Sequence, residues 1–424
     1  MYVFNSYLSG DIDFPRKQWA KSRKLVDGVM DMVLGVLRSE SFEGIRIDSY
    51  IRQGSSREGL KVVEPNEFDA MLEFHIEGLE GKISEESILD QNNRHVSGFC
   101  FMKIDGVDMA YLRKRYPRLV QRGLFLEQDG RIRLSSKTLY ESVFKSMVDK
   151  ATDQIRASND HQNLVITRKD NPPAVNVQIR NNGFDPSLPS VIDIDFVPAF
   201  RLRVDETTTY EGTPLNCPIH AVCKWSPPES SKALEFVDSE IVWNVKTTGY
   251  EIHILDVARN DTRKSIIFTA LRIVKTYFTK TKKLTHSPPP LVKIVKSYYL
   301  KQIAFYILYY LCHVHRNYEL NGVKRALLYF IDFLEVALET KRLPHFFFSE
   351  KAAEMLPGYP PMPSNRLHYN QFRRIPTEAL KQAQHSLLNH MARDFGFYFG
   401  ANTDTERDSI KQKFRSVATD KDYF

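Results

Sequence analysis

Gly54-Ser55-Ser56-Arg57-Glu58-Gly59-Leu60-Lys61-Val62-Val63-Glu64-Pro65-Asn66-Glu67-Phe68-Asp69-Ala70-Met71-Leu72 is the stretch on which the reading of this 424-residue chain turns. A Gly-Ser pair offers free backbone N–H groups and a hydroxyl in a tight turn, a combination suited to gripping phosphate. Downstream, Val62-Val63 and Ala70-Met71-Leu72 supply the apolar setting of a sheet. A period of two puts Glu67 and Asp69 on one face while Phe68 points into the opposite layer. Two carboxylates side by side repel each other unless a cation lies between them, so the pair implies Mg²⁺ or Mn²⁺. An exposed acidic strand edge beside an unrelated turn would carry the same letters, and the rest of the chain has to decide between the two.

A two-metal site needs a further acidic ligand from a neighbouring strand. Val191-Ile192-Asp193-Ile194-Asp195-Phe196-Val197 alternates apolar residues with carboxylates and is predicted to be a strand stopped by Pro198. Asp195 is the expected third ligand, binding the metal that activates the attacking hydroxyl, with Glu67 and Asp69 bridging both ions and the triphosphate. Asp193 shares its face, and whether it joins the site is left open. Two cations about 3.5 to 4 Å apart stabilise the attacking and leaving oxygens of an in-line displacement. Ser55 and the neighbouring N–H groups are expected to hold the terminal phosphates.

The chain is longer than one core usually organises, so two lobes are expected. Pro15 to Arg38 reads as a long helix with an apolar stripe (Trp19, Val26, Val29, Met30, Val33, Leu37) and a basic one (Lys17, Lys21, Lys24). Strands are predicted at Ile45–Arg52, Val96–Ile104, Leu164–Arg168 and Ala174–Arg180, the last two around Pro172-Pro173, with Gly78–Asn93 as loop. A helix capped by Ser136 runs to Arg156. Beyond Leu255 the pattern turns helical: a segment capped by Asp261 or Thr262, then Leu291–His313, Asn321–Thr340 and Pro376–Phe397, with Pro357–Pro363 as a connection. This places a catalytic lobe at 1–260, a helical lobe at 261–400 and a mobile tail at 401–424.

Lys plus Arg number 59 against 52 Asp plus Glu, a modest excess that is clustered. Arg16, Lys17, Lys21, Arg23 and Lys24 form one block, Arg113, Lys114, Arg115, Arg118 and Arg122 a second, and Lys280, Lys282 and Lys283 a third; together they predict contact with nucleic acid. No apolar run reaches the roughly 18 to 20 residues that span a bilayer, and the N-terminus is not of the signal-peptide kind, so a cytoplasmic protein is expected. Four scattered cysteines make no disulfide framework. Cys217, His220 and Cys223 have ligand-like spacing but no evident fourth partner, so no zinc is predicted.

The Gly54–Val62 segment, Pro65-Asn66-Glu67-Phe68-Asp69-Ala70-Met71-Leu72, and Ile194-Asp195-Phe196-Val197-Pro198-Ala199-Phe200 together resemble the cyclic GMP-AMP synthase-like receptors and their male-abnormal-family relatives. The resemblance covers about residues 10 to 400. It implies an α+β, bilobal nucleotidyltransferase with a mixed-sheet catalytic lobe, a long N-terminal helix and a C-terminal helical lobe. It further implies activation by double-stranded nucleic acid and synthesis of a cyclic dinucleotide from two NTPs such as ATP and GTP, read by the STING receptor, with dimerisation on the ligand as a possibility. By position it makes Glu67, Asp69 and Asp195 the metal ligands, two ions per site, and Ser55 the phosphate holder. Lys275, within Leu271-Arg272-Ile273-Val274-Lys275, corresponds to a triphosphate contact. In Lys296-Ser297-Tyr298-Tyr299, Ser297 corresponds to a phosphate contact and Tyr298 to a ring stacked on a base.

Two departures shape the expectation. The vertebrate DNA sensors carry a His-Cys-Cys-Cys zinc insertion, whereas Glu251–Lys264 here contains His253 and no cysteine, which shifts the expected activator from DNA to duplex RNA. At Trp243-Asn244-Val245-Lys246, Asn244 stands where the DNA sensor has a base-reading arginine, so a different base pair in the product is expected. Two other functions fit parts of the pattern: a non-catalytic male-abnormal-family scaffold, which has no need of three convergent carboxylates, and a template-independent RNA nucleotidyltransferase.

Overall fold

The computed structural model describes residues 16–39, 42–157, 164–171, 174–183, 185–205, 207–225, 239–316, 320–360, 366–396 and 405–420. The expected Pro172-Pro173 turn and parts of the 357–363 connection and of the tail lie outside them.

The first helix, α1 (Arg16–Ser39), buries Val26, Val29, Met30, Val33 and Leu37 and leaves Lys17, Lys21 and Lys24 exposed, as its two stripes require. It leads through β1 (Ile45–Gln53) into a single helical turn, α2 (Gly54–Arg57), and then β2 (Glu67–Ile76). The even residues of β2, Phe68, Ala70, Leu72, Phe74 and Ile76, enter a core shared with α1 and α3 (Lys145–Ala157). The odd residues Glu67 and Asp69 are thereby turned to the other face.

Further strands are β3 (Ile83–Leu89), β4 (His95–Ile104), β5 (Phe125–Gln128), β6 (Arg131–Leu134), β7 (Leu164–Asn171), β8 (Ala174–Asn181), β9 (Val191–Asp205), β10 (Cys217–Cys223) and β11 (Val242–Lys246). They form one mixed sheet in the order β1-β2-β9-β10-β11-β4-β6-β5, with β3 also on β4 and the β7–β8 hairpin on β9. The pairing of β2 with β9 is parallel; its neighbours are antiparallel.

Pro198 does not stop β9. Asp193 N donates to Asn66 O at 2.8 Å, so the odd amides of β9 face β2 and the even ones face away. On that far side the pairing with β8 ends at Phe196 and the pairing with β10 begins at Ala199. Pro198 falls at this handover, where its missing N–H removes no ladder bond. The segment Gly78–Asn93, expected as loop, contains β3. Its weak apolar pattern misled the reading because β3 lies outside the main strand path, on β4, and is half exposed.

Helical structure begins earlier than expected, at α4 (Thr248–Asn260), followed by α5 (Lys264–Leu284), α6 (Ser297–Leu308), α7 (Gly322–Thr340), α8 (Thr377–Ser386) and α9 (Thr405–Ala418). Asp261 Oδ1 accepts from the amides of Arg263 and Lys264, which is the cap foreseen for α5, whereas Ser135 rather than Ser136 caps the helical segment that begins there. The helix foreseen from 291 to 313 is broken at Val295-Lys296, so Ser297 becomes the first residue of α6.

The tail is not loose where it is described. In α9, Ile410, Phe414 and Ala418 are fully buried, and Phe414 stacks on Phe333 of α7 with centroids 4.3 Å apart. Arg407, Lys411 and Arg415 pair with Asp332, Glu335 and Glu339 one helical turn at a time along α7. Its charged composition hid an apolar stripe at i, i+4, i+8. Phe414→Ala is expected to destabilise the chain by about 3 to 5 kcal/mol, read as a lower urea midpoint. A midpoint unchanged from wild type would mean that α9 is not part of the folded unit.

Among the described residues no helix is long and apolar enough to cross a membrane.

Candidate active site

Parallel pairing sets Glu67 opposite Asp193 and Asp69 opposite Asp195, so four carboxylates stand in two adjacent pairs on one face. β8 completes the grid with carboxamides. Asn176 lies opposite Asp195 and donates to its Oδ1 at 2.9 Å; Gln178 lies opposite Asp193 and donates to its Oδ1 at 3.1 Å. Asn171 Nδ2 also reaches Asp195, at 3.2 Å. These amides fix the β9 carboxylates without neutralising them.

Asp69 is the pressured member. Burial pushes its carboxyl up to about 7, helped by the nearby negative charges of Asp195, Glu58 and Glu67. Glu67 is different: its side chain is exposed at the start of β2, and although the surrounding protein partly desolvates its charge, Lys61 holds it below the usual carboxylate range, with Lys61 Nζ 2.6 Å from its Oε2. Between Lys61 and β2, Val63 adopts φ 71, a strained conformation for a β-branched residue.

Gly54 explains the first half of the motif. Its φ is +70, and a Cβ there would stand 2.8 Å from Asp69 Cγ and closer still to Oδ2. Only glycine lets the turn close onto the carboxylate row. The turn, β11, α4, α5 and α6 then enclose a cavity of about 330 Å³ lined by Gly54, Ser55, Asp69, Lys246, Lys275, Ser297 and Tyr298, together with Glu58, Glu251 and Lys301.

Of the residues foreseen for the site, Ser55, Asp69, Lys275, Ser297 and Tyr298 line this one cavity, while Glu67 and Asp195 stand beside Asp69 on the sheet without lining it. Ser55 and Ser297 each lie at the start of a helical segment. Burial, and the cations Lys301 and Lys61, bring the Lys275 ammonium down to about 7. Tyr298 reaches the cavity, but its hydroxyl is engaged with Glu251 at 3.2 Å and His345 at 2.7 Å, and Lys301 Nζ lies 5.0 Å from its ring centroid. Asn244 is not among the lining residues; Lys246, two positions along the same face of β11, takes that place. Glu58, Glu251, Lys246 and Lys301 were missed because each looks like an ordinary surface charge in its own segment.

The basic blocks separate. Lys282 acts electrostatically on Glu67 and Lys283 pairs with Glu64 at 2.7 Å, which places that block at the mouth of the site. Lys21 pairs with Asp185 at 2.8 Å, while Lys17 and Lys24 are exposed on α1. Behind the Gly-Ser turn lies a larger groove of about 740 Å³ lined by Arg23, Arg52, Arg57, Lys61, Arg259 and Arg272, with Trp19 stacked on Phe68 in its wall. Its arginines come from five segments of the chain, so no run of sequence announces it. His220, the middle residue of the ligand-like Cys217-His220-Cys223 spacing, is engaged elsewhere, with Glu73 at 2.8 Å.

As the side chains stand, no three His, Cys, Asp or Glu among the described residues are close enough to hold a metal ion. The donors nonetheless fit a hard divalent cation. They are oxygens only, Asp69 and Asp195 crowd each other, and the buried Asn176 Oδ1 beside them has no hydrogen-bond partner among the described residues. Glu67 would have to leave Lys61 to join them.

A mixed sheet presenting paired carboxylates beneath a Gly-Ser turn, with a helical lobe across the cavity, defines the nucleotidyltransferase class of fold. Residues 56–255 match the family described as Mab-21 protein nucleotidyltransferase domain, so the chain carries such a domain, of the family that includes the cyclic GMP-AMP synthase-like receptors. The match takes in Glu67, Asp69, Asp195 and Asn244 and stops short of Lys275, Ser297 and Tyr298. The domain supports transferase activity and implies NTP substrates. No curated protein matches the chain significantly.

Proposed function

We propose that the chain is a polyanion-activated nucleotidyltransferase that joins two NTPs into a cyclic dinucleotide messenger for innate immune signalling, read by a STING-type receptor. The observation that carries this reading is the in-register pairing of Asp69 with Asp195 directly below Gly54, across one cavity from Lys275 and Ser297. Glu67, Asp69 and Asp195 would hold Mg²⁺ or Mn²⁺, two ions per site, which when bound supply the charge neutralisation that an anionic attack on a triphosphate requires. Ser55 and the turn amides would hold the terminal phosphates, and Lys275, poised near neutrality, would take up a proton as that negative charge enters. Tyr298 offers a ring on the cavity wall against which a base could stack.

Duplex RNA is the activator this reading favours. The exposed lysines of α1 and the arginine groove behind the Gly-Ser turn give it a basic surface adjoining the residues it would reorganise. Incubation with Mg²⁺ or Mn²⁺, radiolabelled NTPs and duplex RNA, duplex DNA or neither is expected to yield a phosphatase-resistant cyclic product only with duplex present. Linear products of growing length would instead identify an RNA-end polymerase.

A second reading has one observation in its favour. With Glu67 paired to Lys61, the carboxylates do not converge, which a nucleotide-binding scaffold without turnover would tolerate. NTP binding with no product under every activator would establish it.

A further inference from the structure

Glu58 belongs to the same turn as Ser55, and its amide closes that turn on Gly54 O at 3.1 Å. Its side chain is buried, and Oε1 accepts from Lys301 Nζ at 2.6 Å across the boundary between the lobes. Lys301 lies one helical turn after Ser297 on α6. The same ammonium stands 2.6 Å from Glu251 Oε2 on α4, and Glu251 Oε1 in turn accepts from Thr247 Oγ1 at 3.1 Å and Tyr298 O–H at 3.2 Å. One buried cation thus joins the Gly-Ser turn, α4 and α6, three walls of the cavity.

Lys275 and Lys246 make the contrast. Both line the cavity and are buried enough for their ammonium groups to be disfavoured, and among the described residues neither makes an ion pair. They are the cations free to meet an incoming anion. Lys301 has two of its three N–H donors committed to carboxylates and its remaining side against the Tyr298 ring. Burial works against its charge, but Glu251 and Glu58 hold it above the usual lysine range. Breaking either pair would strand a buried charge, so the arrangement is stiff.

We propose that Lys301 is a positioning residue that docks the Gly-Ser turn onto the helical lobe through Glu58 and fixes where Ser55 faces the cavity, without itself touching the triphosphate. The proposal rests on reading this cavity as the nucleotide site. The loss of either partner releases the turn, and turnover suffers more than nucleotide affinity.

The test uses the full chain and the variants Glu58→Gln, Lys301→Met and the double variant. Three quantities are read: hydrogen exchange at the amides of residues 54–60 against those of β9, the affinity for a non-hydrolysable ATP analogue with Mn²⁺, and kcat and KM. Each single variant is expected to speed exchange of residues 54–60 by about tenfold or more with β9 unchanged. The same variants should lower kcat about tenfold or more with analogue affinity and KM within about threefold of wild type, and the double variant should be no worse than Lys301→Met, because the pair acts as a unit. Analogue affinity lost in Lys301→Met but kept in Glu58→Gln would overturn the proposal by making Lys301 a phosphate ligand. Unchanged exchange at residues 54–60 in both variants would also overturn it. Should Lys301→Met fail to fold, Glu58→Gln decides alone, since it leaves Lys301 paired with Glu251. If the wild-type chain makes no product with any activator, the enzymatic reading fails while the exchange measurement still decides the docking.

Discussion

Asp69→Asn is expected to abolish turnover and, at neutral pH, to raise the melting temperature of the nucleotide-free protein. The carboxyl is buried beside Asp195, Glu58 and Glu67, and its folded-state value of about 7 lies far above that of an unfolded aspartate. Between about pH 4 and 7 the folded chain therefore holds a proton that the unfolded chain has released. Stability falls as pH rises through that window, and the whole loss is present above it. An isosteric amide removes the charge and keeps the shape, so the gain should be on the order of 1 to 3 kcal/mol, or about 2 to 5 °C in Tm at pH 7.5.

The difference between variant and wild type should vanish as pH falls toward 4, where wild-type Asp69 is itself neutral. Lys275 contributes in the adjoining window. Its folded value of about 7 lies below that of an unfolded lysine, so from about pH 7 to 10 the unfolded chain binds the extra proton and stability rises with pH. The two groups together place their weakest contribution near neutrality, where a divalent cation beside Asp69 and an anion beside Lys275 would each relieve it. Thermal scans from pH 4 to 9, with and without Mn²⁺, check this. A lower Tm for Asp69→Asn at pH 7.5 would mean that the carboxylate is already satisfied without a cation.

Gly54→Ala is the second large effect: turnover is expected to fall by about a thousandfold or more while the circular dichroism spectrum stays native. Two costs combine at this position. The backbone at φ +70 disfavours an L residue by about 1 to 2 kcal/mol, and the new methyl group would collide with the Asp69 carboxylate. Gly59 separates the two. It has the same φ of +70, but the tightest contact of a Cβ there is the Arg259 guanidinium, at 3.1 Å, the far end of a flexible side chain, with the Phe268 ring at an ordinary 3.5 Å. Gly59→Ala should therefore show the backbone penalty in stability with turnover within about tenfold of wild type. Mn²⁺ binding, followed by water-proton relaxation, gives a readout independent of product: it should weaken in Gly54→Ala and persist in Gly59→Ala. Equal losses in both would assign the effect to backbone strain and remove the carboxylate from the explanation.

The elements legible in the sequence were those whose own periodicity matched their burial. The two stripes of α1, the alternation in β2 and β9, and the apolar faces of α5 and α7 reappear at or within a few residues of their expected ends. Where a neighbour supplied the stabilisation, the reading failed. β3 is held by β4, α9 is held by α7 through Phe333 and three ion pairs, and β9 passes Pro198 because two partner strands change places beside it. Asn244 was a plausible wall residue until β11 was set in its sheet, where Lys246 faces the cavity instead.

By itself the sequence determined that carboxylates would stand at alternate positions on two strands with a glycine turn ahead of the first, because side-chain alternation is a local property of an extended chain. It could not determine that β2 and β9 would lie parallel and in register, which is what sets Asp69 beside Asp195. Nor could it say which lysines would be spent. Lys61 is paired with Glu67 and Lys301 with Glu58 and Glu251, while Lys275 and Lys246 are left to face the cavity. Those roles depend on distances of a few ångströms between residues up to 243 positions apart. In a low-dielectric interior such distances decide whether a charge is neutralised, shifted or left waiting for a ligand, and only the tertiary structure sets them.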